Sequence, residues 1–141
     1  MPAHDQRLVV VCEWMMKAEN DLRAAAHTLT LKEDCPSDTV CFHAQQCVEK
    51  YLKAFLVLRA IDFPKTHDID RVVALLPSGI KVSLTLEQRR RLTAHATALR
   101  YPGDYVPVTL VEARKSVALA RKVRREMRRL LPKAALRRRR Q

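Results

Sequence analysis

Glycine is almost missing, 2 of 141 residues. So few residues free to take left-handed backbone argue against a glycine-rich phosphate loop and against an all-β fold built on many tight turns. No run of about 18 apolar residues occurs, so no membrane span is expected. The opening MPAHDQRLVV has neither a basic start nor a long apolar stretch. It is not read as a secretory signal, and a cytoplasmic location is expected. The four cysteines, Cys12, Cys35, Cys41 and Cys47, contain no C-x-x-C pair, and the last three are six residues apart. That spacing does not match ligand pairs on one helical turn, so no metal site or cofactor is expected and the thiols are read as small buried groups.

Apolar residues are plentiful at 48%. With 141 residues, they suit one domain that buries roughly two thirds of its unfolded surface. Charge is uneven along the chain. Residues 1–111 hold 14 basic and 13 acidic residues, whereas residues 112–141 hold 13 basic and 2 acidic. The body is nearly neutral and the C-terminal part is a polycation suited to nucleic acid or another polyanion. Pro132 is expected to end the last helix, leaving 132–141, with Arg137–Arg140, as a disordered basic tail behind a domain at 1–131.

Hydrophobic spacing predicts five helical segments and no strand. The first runs from about Asp5 to Leu31, with Leu8, Val11, Met15, Ala18, Leu22, Ala25 and Leu29 on one stripe. The second runs from about Asp38 to Ala60, with Ser37 or Asp38 as cap. The third, short one covers about His67 to Leu76, with Thr66 as cap. Thr85 and Gln88 read as a capping box opening the fourth, which extends to about Leu99. Thr109 and Glu112 open the fifth, about Leu110 to Leu131, with Ala113, Val117, Ala120, Val123, Met127 and Leu130 inward. The pattern implies an all-α four-helix up-and-down bundle with a short additional helix.

On the second segment, His43, Gln46, Lys50 and Lys53 fall within an arc of roughly 80°, beside a broad apolar arc. An imidazole, an amide and two ammonium groups in one strip suit phosphate binding, or the capping of a neighbouring loop. His67, near a helix start, suits either an anion or a local cap contact. Arg100 and Tyr101 precede a Pro-Gly turn, where a guanidinium can bind phosphate and a phenol can stack on a base. The expectation is that the strip and Arg100 share one groove.

Ala18-Glu-Asn-Asp-Leu22, Phe42 to Lys53, Lys65-Thr-His-Asp68 and Leu99-Arg-Tyr-Pro102 occur in that order. Together they resemble the HEPN domain family over about residues 7–130. The resemblance implies a helical bundle, commonly a homodimer, often paired with a minimal nucleotidyltransferase as toxin and antitoxin. Some members are metal-independent ribonucleases carrying an Arg, four to six residues, then a His.

That chemistry needs a proton carrier titrating near neutrality and a guanidinium for the phosphorane-like transition state. After Arg100 the residue at the matching distance is Tyr105, whose unperturbed pKa near 10 makes it a poor base at neutral pH. Arg90 and His95 have the spacing but point roughly 140° apart on a helix, so they would meet only across a dimer. In some related pairs the partner enzyme transfers a nucleotide to a tyrosine near the Arg motif, which makes Tyr101 and Tyr105 candidates. Three readings therefore stand side by side: a nucleotide- or RNA-binding module paired with a nucleotidyltransferase, a ribonuclease using Arg90 or Arg100 with His95, and a helical interaction module with a nucleic-acid-binding tail.

Overall fold

A computed structural model of the chain describes residues 2–98 and 107–137, with side chains from 6–96 and 107–136. Six α-helices and one 3-10 turn make up its regular structure, and no strand occurs among the described residues. The helices are α1 (Pro2–Leu29), α2 (Ser37–Leu58), α3 (Ile69–Ala74), α4 (Leu86–Ala98), α5 (Leu110–Leu130) and α6 (Lys133–Arg137).

Cross-helix contacts fix the directions. Arg7 on α1 reaches the Leu58 carbonyl at one end of α2, and Asp21 reaches His43 and Lys50 further back, so α1 and α2 are antiparallel. Cys41 meets Ser116 and Tyr51 meets Arg128, so α2 and α5 are parallel. Glu126 binds the Ser83 backbone just before α4, while Glu112 binds Arg91 and His95, so α4 and α5 are antiparallel. These pairings make the expected up-down-up-down bundle, with α3 as the short extra helix.

The core is centred on α2, of whose 22 residues fourteen are buried. A helix covered on nearly every side cannot keep its polar residues at a water boundary, and each must find a partner inside. Gln45, Gln46, Glu49 and Lys53 are all buried, and no buried side-chain polar atom among the described residues lacks a hydrogen-bond partner. On α1 the expected stripe is inward at Val11, Met15, Ala18 and Ala25, and on α5 at Ala113, Val117, Ala120, Val123 and Met127. Leu130 departs from it: it is 37% exposed, and Leu131 is buried in its place.

Three caps differ from the sequence reading. Asp68, not Thr66, caps α3, accepting from the Asp70 and Arg71 amides, while the Thr66 hydroxyl accepts from the Asp68 amide in the turn before it. Pro36 occupies the cap position of α2 without a side-chain bond, and Asp38 Oδ1 accepts from the next amide, Thr39. Thr85 and Gln88 do form a reciprocal capping box, at 3.1 and 2.9 Å. Thr109 caps α5 in the expected way, but the Glu112 side chain turns away from the box to bind α4.

The C-terminal segment also differs. Pro132 ends α5 but also begins α6, because its carbonyl accepts from the Ala135 and Leu136 amides. Ala135 is only 3% exposed, and its carbonyl lies 3.5 Å from Cys12 Sγ. Residues 133–137 are therefore folded back on α1 by an apolar contact rather than trailing from the bundle. Arg138 to Arg140 lie outside the described residues.

Candidate functional site

The expected polar strip on α2 is resolved into two clusters, each closed by a carboxylate. On the α1 side, Asp21 accepts from Lys50 Nζ at 2.6 Å and meets His43 Nδ1 at 2.8 Å. On the α3 side, Glu49 accepts from Lys53 Nζ at 2.8 Å and from Gln45 Nε2 at 3.1 Å, and meets His67 Nδ1 at 2.9 Å. Gln46 donates to Gln45 at 2.7 Å, and Gln45 and Lys53 also donate to the carbonyls of His67 and Thr66. The Lys53 ammonium lies 5.7 Å from the Trp14 ring centre and 5.4 Å from that of Phe63, within cation–π range.

The structure thus brings Gln46, Lys53 and His67 together around Glu49 and His43 and Lys50 together around Asp21, but does not join the two groups. The Lys65-Thr-His-Asp68 motif is the loop that Gln45 and Lys53 hold against α2 by its own carbonyls and Glu49 holds by the His67 ring. The sequence reading named the cations and missed the anions. Glu49, four residues before Lys53, carries a usable signal, since a Glu four residues N-terminal to a Lys lies on the same helix face. Asp21 lies within the Ala18–Leu22 block and has no such local signal.

Arg90 is exposed and enters no ion pair among the described residues. Its neighbour Arg91 is the arginine that converges with His95. Both bind Glu112 of α5, His95 Nε2 at 3.4 Å and Arg91 through its Nη2. Residues four apart share a helix face, whereas the five-residue pair does not. Burial pushes the His95 pKa below its ordinary 6.5, against the opposing pull of the Glu112 carboxylate. A histidine with a folded pKa below its unfolded one stabilises the fold fully above about pH 6.5, and that stability is lost as pH falls. His95→Gln is expected to flatten the pH dependence of urea stability between pH 7 and 5, and an unchanged slope would remove His95 as its source. Arg100, Tyr101 and Tyr105 lie outside the described residues, in the connection from α4 to α5.

The third cluster joins α1, α2 and α5. Glu19 accepts from Arg124 Nε at 2.6 Å and Nη2 at 3.0 Å, and from the Tyr51 hydroxyl. Burial works to raise the Glu19 pKa, but the bonds from Arg124 and Tyr51 and the charges of Arg124 and Arg128 outweigh it and hold the carboxyl below the usual range. Burial first, then the bond to Glu19, pushes the Tyr51 phenol well above its ordinary value, so it remains a donor. Beside this cluster, Arg121, Arg124 and Arg125 of α5 and Arg23 of α1 line an open cavity of about 380 Å³, with Glu19 as its only carboxylate lining residue among the described residues. Its chemistry is that of an anion site: guanidinium forks at i, i+3 and i+4 on one helix, backed by a carboxylate already saturated with donors.

Among the described residues no group of three or more His, Cys, Asp or Glu is placed to hold a metal ion. Nor is any helix there long and apolar enough to cross a membrane. Burial raises the Cys41 thiol to about 11, and pushes the Cys47 thiol up further still, so both are poor nucleophiles at neutral pH.

The backbone is similar to two solved structures. TT1696 from Thermus thermophilus superposes with a TM-score of 0.74 at 26% identity, over 86% of this chain and 98% of that one. ST0689, an archaeal HEPN homologue, superposes with a TM-score of 0.64 at 26% identity, over 85% and 96%. A search of curated proteins gave no match. The HEPN domain model matches residues 11–130, a span that takes in most of α1, the other three bundle helices and the loop held by Glu49, and the chain belongs to that family.

Proposed function

We propose that this HEPN protein is a cytoplasmic nucleotide- or RNA-binding module, acting as a homodimer and as the partner of a minimal nucleotidyltransferase in a toxin–antitoxin type of pair. The observation that supports this reading is the guanidinium-lined face of α5, where arginines 121, 124 and 125 and Arg23 line one cavity with Glu19 as the single carboxylate among its described lining residues. The strip on α2 faces internal carboxylates, so in this proposal phosphate recognition passes from Lys50 and Lys53 to the α5 arginines. Arg100, Tyr101 and Tyr105, in the connection that leads into α5, are the proposed phosphate and base contacts.

The reading is tested by thermal shift with ATP and with a short single-stranded RNA. Either ligand is expected to raise the melting temperature, and Arg100→Ala to abolish the gain. No shift with a panel of nucleotides and RNAs would overturn it.

One observation favours a ribonuclease as the second reading: Glu112 orients His95 and holds Arg91 beside it. Under that reading, cleavage of RNA in EDTA would disappear in His95→Ala. Cleavage that persists in the variant would exclude this assignment.

A further inference from the structure

A second, larger cavity of about 500 Å³ lies between α1, α5 and α6. It has the size of a small-molecule pocket, and its wall is divided by chemistry. Cys12, Met15, Met16 and Leu136 supply an apolar end, roofed by α6. Arg23, Arg124 and Arg128 supply the cationic end, with Glu19 as the one carboxylate lining residue among the described residues.

The guanidinium groups are not equivalent. Arg124 is committed to Glu19 through two hydrogen bonds. Among the described residues Arg23 and Arg128 donate side-chain hydrogen bonds to neutral partners, the Asn20 side-chain oxygen at 3.2 Å and the Tyr51 hydroxyl at 3.4 Å, although the charge of Arg128 also acts on Glu19. Three guanidinium groups against the single carboxylate of Glu19 leave the described lining with two positive charges in excess, which matches one dianionic phosphate. The flexible thioether of Met16, half-buried beside the inward Met15, adapts to, and attracts, an aromatic ring. Phosphate at one end and a flat ring at the other describe a nucleoside monophosphate.

We infer that the cavity between α1, α5 and α6 binds a nucleoside monophosphate, with its phosphate on Arg23 and Arg128 and its base against Met16 and Leu136. The chemical class rests on the nucleotide-binding reading above, but the residues are separate from Arg100, Tyr101 and Tyr105. Leu136 is the residue that closes the apolar end, so α6 acts as its roof.

The test is calorimetry of the full chain with AMP, adenosine and inorganic phosphate, with gel-shift of a short RNA in parallel. AMP is expected to bind one per chain, at least about ten-fold more tightly than either fragment, since each end contributes. Arg23→Ser removes one exposed charge-assisted contact and is expected to weaken AMP about ten-fold. Leu136→Glu, which sets a carboxylate against the ring, is expected to abolish AMP binding and to leave RNA retention unchanged. Circular dichroism checks that the variant is folded, and Arg23→Ser decides the matter if it is not. AMP affinity unchanged in both variants, with RNA still bound, would overturn this site alone. Phosphate binding as tightly as AMP would reduce it to a simple anion site and overturn the assignment. Failure of wild-type protein to bind AMP, adenosine or RNA would overturn both this inference and the reading on which it rests.

Discussion

Lys53→Met is expected to lower the unfolding free energy by about 3 kcal/mol, read from urea denaturation at pH 7. Lys53 is 5% exposed and Glu49 is 3% exposed. Removing one member of a buried pair leaves the other charge in a medium that solvates it poorly, a loss of about 3–5 kcal/mol in comparable sites. The lower end applies because Glu49 keeps Gln45 and His67 as partners, and because Met preserves much of the packing between Trp14 and Phe63. The Thr66 carbonyl also loses its donor, so the loop before α3 keeps only its contacts through His67 to Gln45 and Glu49 on α2. Glu49→Gln combined with Lys53→Met removes both charges and is expected to recover about half of the loss, since the cost lies mainly in the orphaned carboxylate. A Lys53→Met variant as stable as wild type, yet impaired in binding RNA, would reverse this account and make the α2 strip a ligand surface.

The same pair shows where a single sequence is legible. Stripe spacing on α1 and α5 depends only on which side of a helix is apolar, and it located most of the residues those helices bury. The capping residues Thr85, Gln88 and Thr109 act within one turn, and they too were readable. The α2 strip depends on what lies opposite, and spacing does not carry that information. His43, Gln46, Lys50 and Lys53 look like the polar edge of an amphipathic helix until α2 is known to be enclosed by α1, α4 and α5. Asp21 is 22 residues from His43 and 29 from Lys50, so no local rule joins them. Glu112 reads as half of a capping box, but its side chain gathers Arg91 and His95 instead, because a second helix decides its direction. The folding back of residues 133–137 was hidden for a similar reason. Pro132 reads as a stop in one dimension, whereas the three residues after it start a new turn once Ala135 can be buried against Cys12.

Removing Arg121 and Arg125 together is expected to weaken binding of a short single-stranded RNA about 20-fold at 0.1 M salt. Both guanidinium groups line the open cavity between α1 and α5 and are solvent-exposed. Neither has a carboxylate partner among the described residues, so Arg121→Ala with Arg125→Ala should leave stability nearly unchanged. Each cation that pairs with a phosphate releases counterions, and on a single strand the slope of log affinity against log salt changes by about 0.7 for each such cation removed. The double variant should therefore have a slope shallower by about 1.4, a quantity that does not depend on protein concentration or on small changes in fold. The control is Lys65→Ala with Lys81→Ala, which removes the same net charge from exposed positions elsewhere. If net charge alone attracted RNA, the two double variants would weaken binding equally. If the α5 face is the contact surface, the lysine variant keeps the wild-type slope and the arginine variant does not. Equal slopes in wild type and in both variants would remove the α5 face from the binding surface, and with it the observation on which the nucleotide- or RNA-binding reading depends.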